Sequence, residues 1–98
     1  MAQPQLLIAL DYDKTYTADP VLWETFIAAA KQRGHSVIIA TMRYPQEGAE
    51  IEQLLGSRVD TIVYTSRQAK YDEVQRQGFY PSIWVDDSPH FLFHAGEP

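Results

Sequence analysis

The stretch Leu6-Leu7-Ile8-Ala9-Leu10-Asp11-Tyr12-Asp13-Lys14-Thr15 decides the fold. An unbroken apolar run ends abruptly in a polar cluster. Such a run, without polar alternation, fits a parallel strand covered on both faces. The same device recurs downstream. Val37-Ile38-Ile39-Ala40 ends at Thr41, Thr61-Ile62-Val63-Tyr64 ends at Thr65-Ser66, and Ile83-Trp84-Val85 runs into Asp86-Asp87-Ser88-Pro89. Helical patterns lie between these runs. Asp19-Pro20 supplies an N-cap and a first-turn proline, Leu22, Phe26 and Ala29 or Ala30 recur at helical spacing, and Gly34 follows as a stop. Glu47 to Leu55 reads as a second helix, with Ile51 and Leu55 on one face and Gly56 closing it. Thr65 and Gln68 have capping-box spacing ahead of a third helix through Gln77, with Gly78 as its stop. The order β-α-β-α-β-α-β predicts right-handed crossovers and an α/β three-layer sandwich, its parallel sheet having four to five strands. The segment from His90 to Pro98 is too short to assign.

A chain of 98 residues makes one domain, spanning residues 1–98. Hydrophobic residues at 45% and charged ones at 21% fit a globular core and oppose a disordered tail. The net charge of −5 works against nonspecific binding to nucleic-acid backbones, which needs a basic face. Without cysteine there is no disulfide scaffold, no zinc–thiolate site and no thiol nucleophile. No apolar run has membrane-spanning length, and residues 1–5 carry no basic leader region. The expectation is a cytoplasmic domain with no membrane partner.

In parallel sheets, ligands bind at the carboxyl ends of the strands. The polar signals concentrate there: Asp11 and Asp13 after strand one, Thr41 after strand two, Asp86 and Asp87 after strand four, and Lys70 in the first turns of the last helix. Carboxylates crowded in one place raise one another's pKa values, and a hard dication removes the conflict. Mg²⁺ takes oxygen ligands, often one or two carboxylates together with substrate phosphate oxygens. Arg43, two residues beyond Thr41, reads either as a contact to substrate phosphate or as a solvated loop residue. No glycine-rich nucleotide loop is present.

The pattern of apolar strand, Asp-x-Asp-x-Thr, Thr at the next strand end, Lys, and Asp-Asp after the last strand resembles the haloacid dehalogenase superfamily of phosphotransferases. It spans residues 6 to 89. The resemblance implies a Rossmann-like fold and a Mg²⁺-dependent phosphohydrolase that cleaves phosphate monoesters through an aspartyl-phosphate. It implies Asp11 as nucleophile and Asp13 as general acid and then base, with its carbonyl on the metal. Thr41 would bind the phosphoryl oxygens, together with Arg43 where that residue faces substrate, and Lys70 would neutralise their charge. Asp86 and Asp87 would complete the metal site. Val85-Asp86-Asp87-Ser88-Pro89 is similar to the fourth motif of phosphatases acting on the RNA polymerase C-terminal domain, which makes Asp87 the direct ligand and Asp86 the partner of Lys70.

The chain departs from the family in places. Asp13-Lys14-Thr15-Tyr16-Thr17 also resembles the Asp-Lys-Thr-Gly-Thr signature of P-type ATPases, a register that would make Asp13 the nucleophile. Asp11 is preferred because it directly follows the apolar strand. The short intervals between motifs leave no room for a cap domain. An uncapped site favours a macromolecular phosphorylated substrate or an oligomer that covers it, with nucleic acid disfavoured by charge. Phe91-Leu92-Phe93 reads as core or as an oligomer contact, and His90 with His94 as a packed tail. Two other classes compete. A response-regulator receiver would need an acid after strand three, where Thr65-Ser66 stands. A phosphate- or phosphoprotein-binding module on the same scaffold would keep the pocket and lack turnover.

Overall fold

Leu7–Leu10 forms β1, and hydrogen bonding places it inside the sheet rather than at an edge. The structure is a computed structural model and describes residues 5–97. The remaining strands are β2 (Ser36–Thr41), β3 (Thr61–Tyr64) and β4 (Ile83–Val85). All three pairings are parallel and the spatial order is β3-β2-β1-β4. Three helices connect them: α1 (Pro20–Gln32), α2 (Ala49–Leu55) and α3 (Lys70–Arg76).

Strand side chains alternate between two faces, and each face has its own core. Leu10, Val37 and Ile39 pack with Ile27 and Ala30 of α1 and Ile51 and Leu55 of α2. Ala9, Ile38, Ala40 and Val63 pack with Val74 of α3. Helices thus cover both faces, which is why the strands read as unbroken apolar runs. Right-handed crossovers explain the division. From β1 the chain moves outward through β2 to β3, with α1 and α2 on one face. It then returns across the other face through α3 to place β4 on the far side of β1. The chain therefore leaves β1 and enters β4 in opposite senses, and a crevice opens at their carboxyl ends.

Several local expectations shift. The α1 boundaries hold: Asp19 Oδ1 accepts from Leu22 N at 3.2 Å, and Gly34 takes a φ of +83° that favours glycine. α2 starts at Ala49 rather than Glu47, because Pro45–Glu47 closes a separate 3₁₀ turn. Thr65 does not cap α3. Its hydroxyl donates to Gln68 O at 3.0 Å, Ser66 and Arg67 turn left-handed, and the helix begins at Lys70. The tail is ordered by contacts across the fold. Pro89–Leu92 is a 3₁₀ turn, Leu92 is buried, the Phe93 ring lies 5.5 Å from that of Tyr71, and Gly96 N donates to Arg67 O at 2.7 Å. Trp23 and Trp84 lie half-buried against the two cores. Among the described residues, no helix is long and apolar enough to cross a membrane.

Candidate active site

Asp11 continues the β1–β4 ladder by one residue, its N–H donating to Val85 O at 2.9 Å. The chain then turns sharply. Tyr16 N donates back to Asp11 O, Thr17 N to Tyr12 O, and Lys14 adopts a φ of +65°. That turn brings Thr15 back against Asp11. Thr15 Oγ1 lies 3.0 Å from Asp11 Oδ2 and 2.9 Å from Asp87 Oδ1, and it accepts from Asp87 N at 3.0 Å. One hydroxyl proton thus serves two carboxylates.

Lys70 approaches from the opposite side. Its Nζ donates to Asp11 Oδ1 at 2.6 Å and to Asp86 Oδ2 at 2.7 Å, and its side chain is buried. Asp86 is held in turn by Ser88 N at 2.9 Å. The two neighbouring acids therefore face different partners: Asp86 holds the lysine and Asp87 holds the threonine. Burial pushes the Asp11 carboxyl up to about 6 against the pull of the Lys70 ammonium. Burial also opposes the charge on Asp87, but hydrogen bonds from Asp11, Thr15 and Ser88 outweigh it and hold Asp87 below its ordinary value. Below about pH 6 a proton shared between these acids sits on Asp11, the more deeply buried of the two, and above it both are ionised.

Thr41 ends β2 fully buried, and its Oγ1 accepts from Arg43 N at 3.2 Å. Asp13 is half-exposed at the rim, with both carboxylate oxygens taken by Arg43 at 2.8 and 3.0 Å. These parts border a cleft of about 300 Å³. Asp11, Asp13, Thr41, Lys70, Asp86 and Asp87 all line it; Arg43 does not, its guanidinium being directed to Asp13 and Glu50 instead. The cleft also includes Lys14, Met42, Arg67, Ser88, Phe91 and Glu97, to which sequence reasoning gave no place in the site. Met42 and Ser88 adjoin motif residues and were within reach of it. Arg67 and Glu97 carry no local signal; the Gly96–Arg67 hydrogen bond brings their segments together.

Carboxylate oxygens of Asp11, Asp86 and Asp87 lie within 4.8 Å of one another. An all-oxygen donor set of that span fits a hard divalent cation. The buried Lys70 already neutralises charge on Asp11 and Asp86, which leaves Asp11 Oδ2 and Asp87, on the Thr15 side, as the favoured positions for it. Neither His90 nor His94 belongs to this cluster; their rings stack on each other at 4.1 Å.

No family model matches the chain, and no curated protein or solved structure gives a significant match.

Proposed function

We propose that the chain is a Mg²⁺-dependent phosphohydrolase with a capless, Rossmann-like fold of haloacid dehalogenase type, cleaving phosphate monoesters through an aspartyl-phosphate. One observation carries the reading. A buried carboxylate, Asp11, lies at the crevice between β1 and β4 with an ammonium on one oxygen and the Thr15–Asp87 pair on the other. Asp13 and Thr41 border the same cleft.

A bound Mg²⁺, held by Asp11 and Asp87 and by the Asp13 carbonyl that the resemblance implies, would supply charge stabilisation for the transferring phosphoryl group. The chain's residues do the rest. An Asp11 oxygen attacks phosphorus, and the bond from phosphorus to the leaving oxygen breaks. That oxygen takes its proton from the Asp13 carboxyl, whose oxygens each keep a lone pair that the Arg43 grip leaves free. Lys70 and the Thr41 hydroxyl stabilise charge on the phosphoryl oxygens. Water then attacks the aspartyl-phosphate, its proton passes to Asp13, and the acyl–phosphate bond breaks to return Asp11 and inorganic phosphate. Asp86 keeps Lys70 in place throughout.

The test is turnover with Mg²⁺ on a panel of phosphopeptides, end-phosphorylated oligonucleotides, nucleotides and sugar phosphates. Wild type should release phosphate from at least one class, and Asp11→Asn should reduce that rate at least about 10³-fold with the fold intact. Tight binding of phosphorylated ligands without any turnover would favour the binding-module reading. An active Asp11→Asn with a dead Asp13→Asn would move the nucleophile to Asp13.

A further inference from the structure

Arg43 has the most fully engaged guanidinium near the cleft. Its Nε donates to Asp13 Oδ2 at 3.0 Å and its Nη2 to Asp13 Oδ1 at 2.8 Å, a two-pronged grip. Its Nη1 donates to Glu50 Oε1 at 2.9 Å and to Glu47 O at 2.8 Å. The guanidinium lies over the Tyr12 ring, 5.2 Å from the centroid, and Tyr12 Oη donates to the other Glu50 oxygen at 2.9 Å. Tyr12 is itself buried and stacked on Tyr16. A continuous set of contacts thus runs from the hydrophobic core through Tyr12, Glu50 and Arg43 to a carboxylate at the cleft rim.

We propose that Arg43 is a positioning residue that fixes the orientation of the Asp13 carboxylate toward the leaving oxygen, an inference that rests on the phosphohydrolase reading above. Geometry argues for this over direct contact with substrate. Arg43 stands outside the cleft lining while Asp13 is part of it. An isolated exposed ion pair contributes little. A guanidinium that holds both oxygens of a carboxylate fixes its plane as well as its position, and lysine cannot reproduce that. Misplacing a reacting group by about 1 Å can cost on the order of 10²-fold in rate.

The consequence is a selective defect. A general acid matters for a poor leaving group and little for one that departs as a stable anion. The experiment compares an alkyl phosphate with 2,4-dinitrophenyl phosphate. It uses kcat/KM, which covers steps through formation of the aspartyl-phosphate and omits its hydrolysis. Arg43→Gln and Arg43→Lys should lower kcat/KM for the alkyl ester about 10–100-fold and leave the aryl ester nearly unchanged. Asp13→Asn should show the same selectivity, and adding Arg43→Gln to it should change nothing further. Glu50→Gln, which weakens the anchor and keeps an acceptor for Tyr12, should give a smaller defect of the same kind; it carries the test if Arg43→Gln does not fold.

Equal losses on both esters, or losses that multiply in the double variant, would overturn the inference while the phosphohydrolase reading stands. A higher KM on both esters at unchanged kcat would make Arg43 a phosphate contact and also overturn it. Wild type inert on every phosphate would bring down the reading itself, and this inference with it.

Discussion

Asp11 combines burial with charge, and this gives the protein an unusual pH response. Its carboxyl titrates near 6 in the folded chain because burial disfavours the anion, against about 3.9 for an unfolded aspartate. A raised value means that the folded state holds the proton more tightly. The stabilisation is complete below the unfolded value and is lost as pH rises through about 6. Asp87, held below its ordinary value, acts with opposite sign, and its effect falls at lower pH. Without metal, stability should therefore fall by up to about 3 kcal/mol between about pH 4 and pH 6. Urea unfolding at several pH values checks this, and Asp11→Asn should flatten the slope; a wild-type curve rising over that interval would refute the assignment. The acids themselves were legible in the sequence because each stands at a strand end. The bridging part of Thr15 was not, since it depends on Lys14 turning left-handed, which no local preference of lysine dictates. The meeting of Arg43 with Asp13 was equally hidden, because it requires the loops after β1 and β2 to lie side by side.

At the scale of the elements, apolar runs located the strands because covered strands show no alternation, and Asp19-Pro20 and Gly34 located α1 through known cap chemistry. The starts of α2 and α3 were misread where a turn competes with the helix. At α2 the Pro45–Glu47 turn delays the helix, and a contact across the fold fixes the residue between them. Gly48 stands at its N-cap, and a Cβ there would fall 2.1 Å from the Tyr64 hydroxyl oxygen. That hydroxyl also donates to Glu52 Oε2 at 2.7 Å, so the ring is held in place. Gly48→Ala should accordingly destabilise the protein by about 1–3 kcal/mol through overpacking, lowering the denaturant midpoint at constant m-value. A midpoint equal to that of wild type would mean that Tyr64 swings aside freely.

Across the whole molecule, strand order places Asp11 on an inner strand and Asp86 and Asp87 beyond an edge strand, so the carboxylate cluster joins two parts of the chain far apart in sequence. A cation bound there stabilises only the folded state. Saturating Mg²⁺ at about a hundredfold above its Kd should add about 2.7 kcal/mol. In a domain of this size that corresponds to a rise in Tm of roughly 10–20 °C. The gain should increase from pH 5 to pH 7, as the proton on Asp11 ceases to compete, and Asp87→Asn should diminish it more than Asp86→Asn. A melting curve indifferent to Mg²⁺ throughout that range would reject the cation site. The position of β4 late in the chain also bears on biosynthesis. A ribosome delivers Asp11 first and Asp86 and Asp87 about 4–15 s later, at roughly 5–20 residues per second. Until β4 docks, the chain can assemble β1, β2 and β3 while two of the clustered carboxylates are out of place. The polypeptide therefore leaves the ribosome with its carboxylate cluster unassembled, and the cluster closes in one step when β4 docks beside β1.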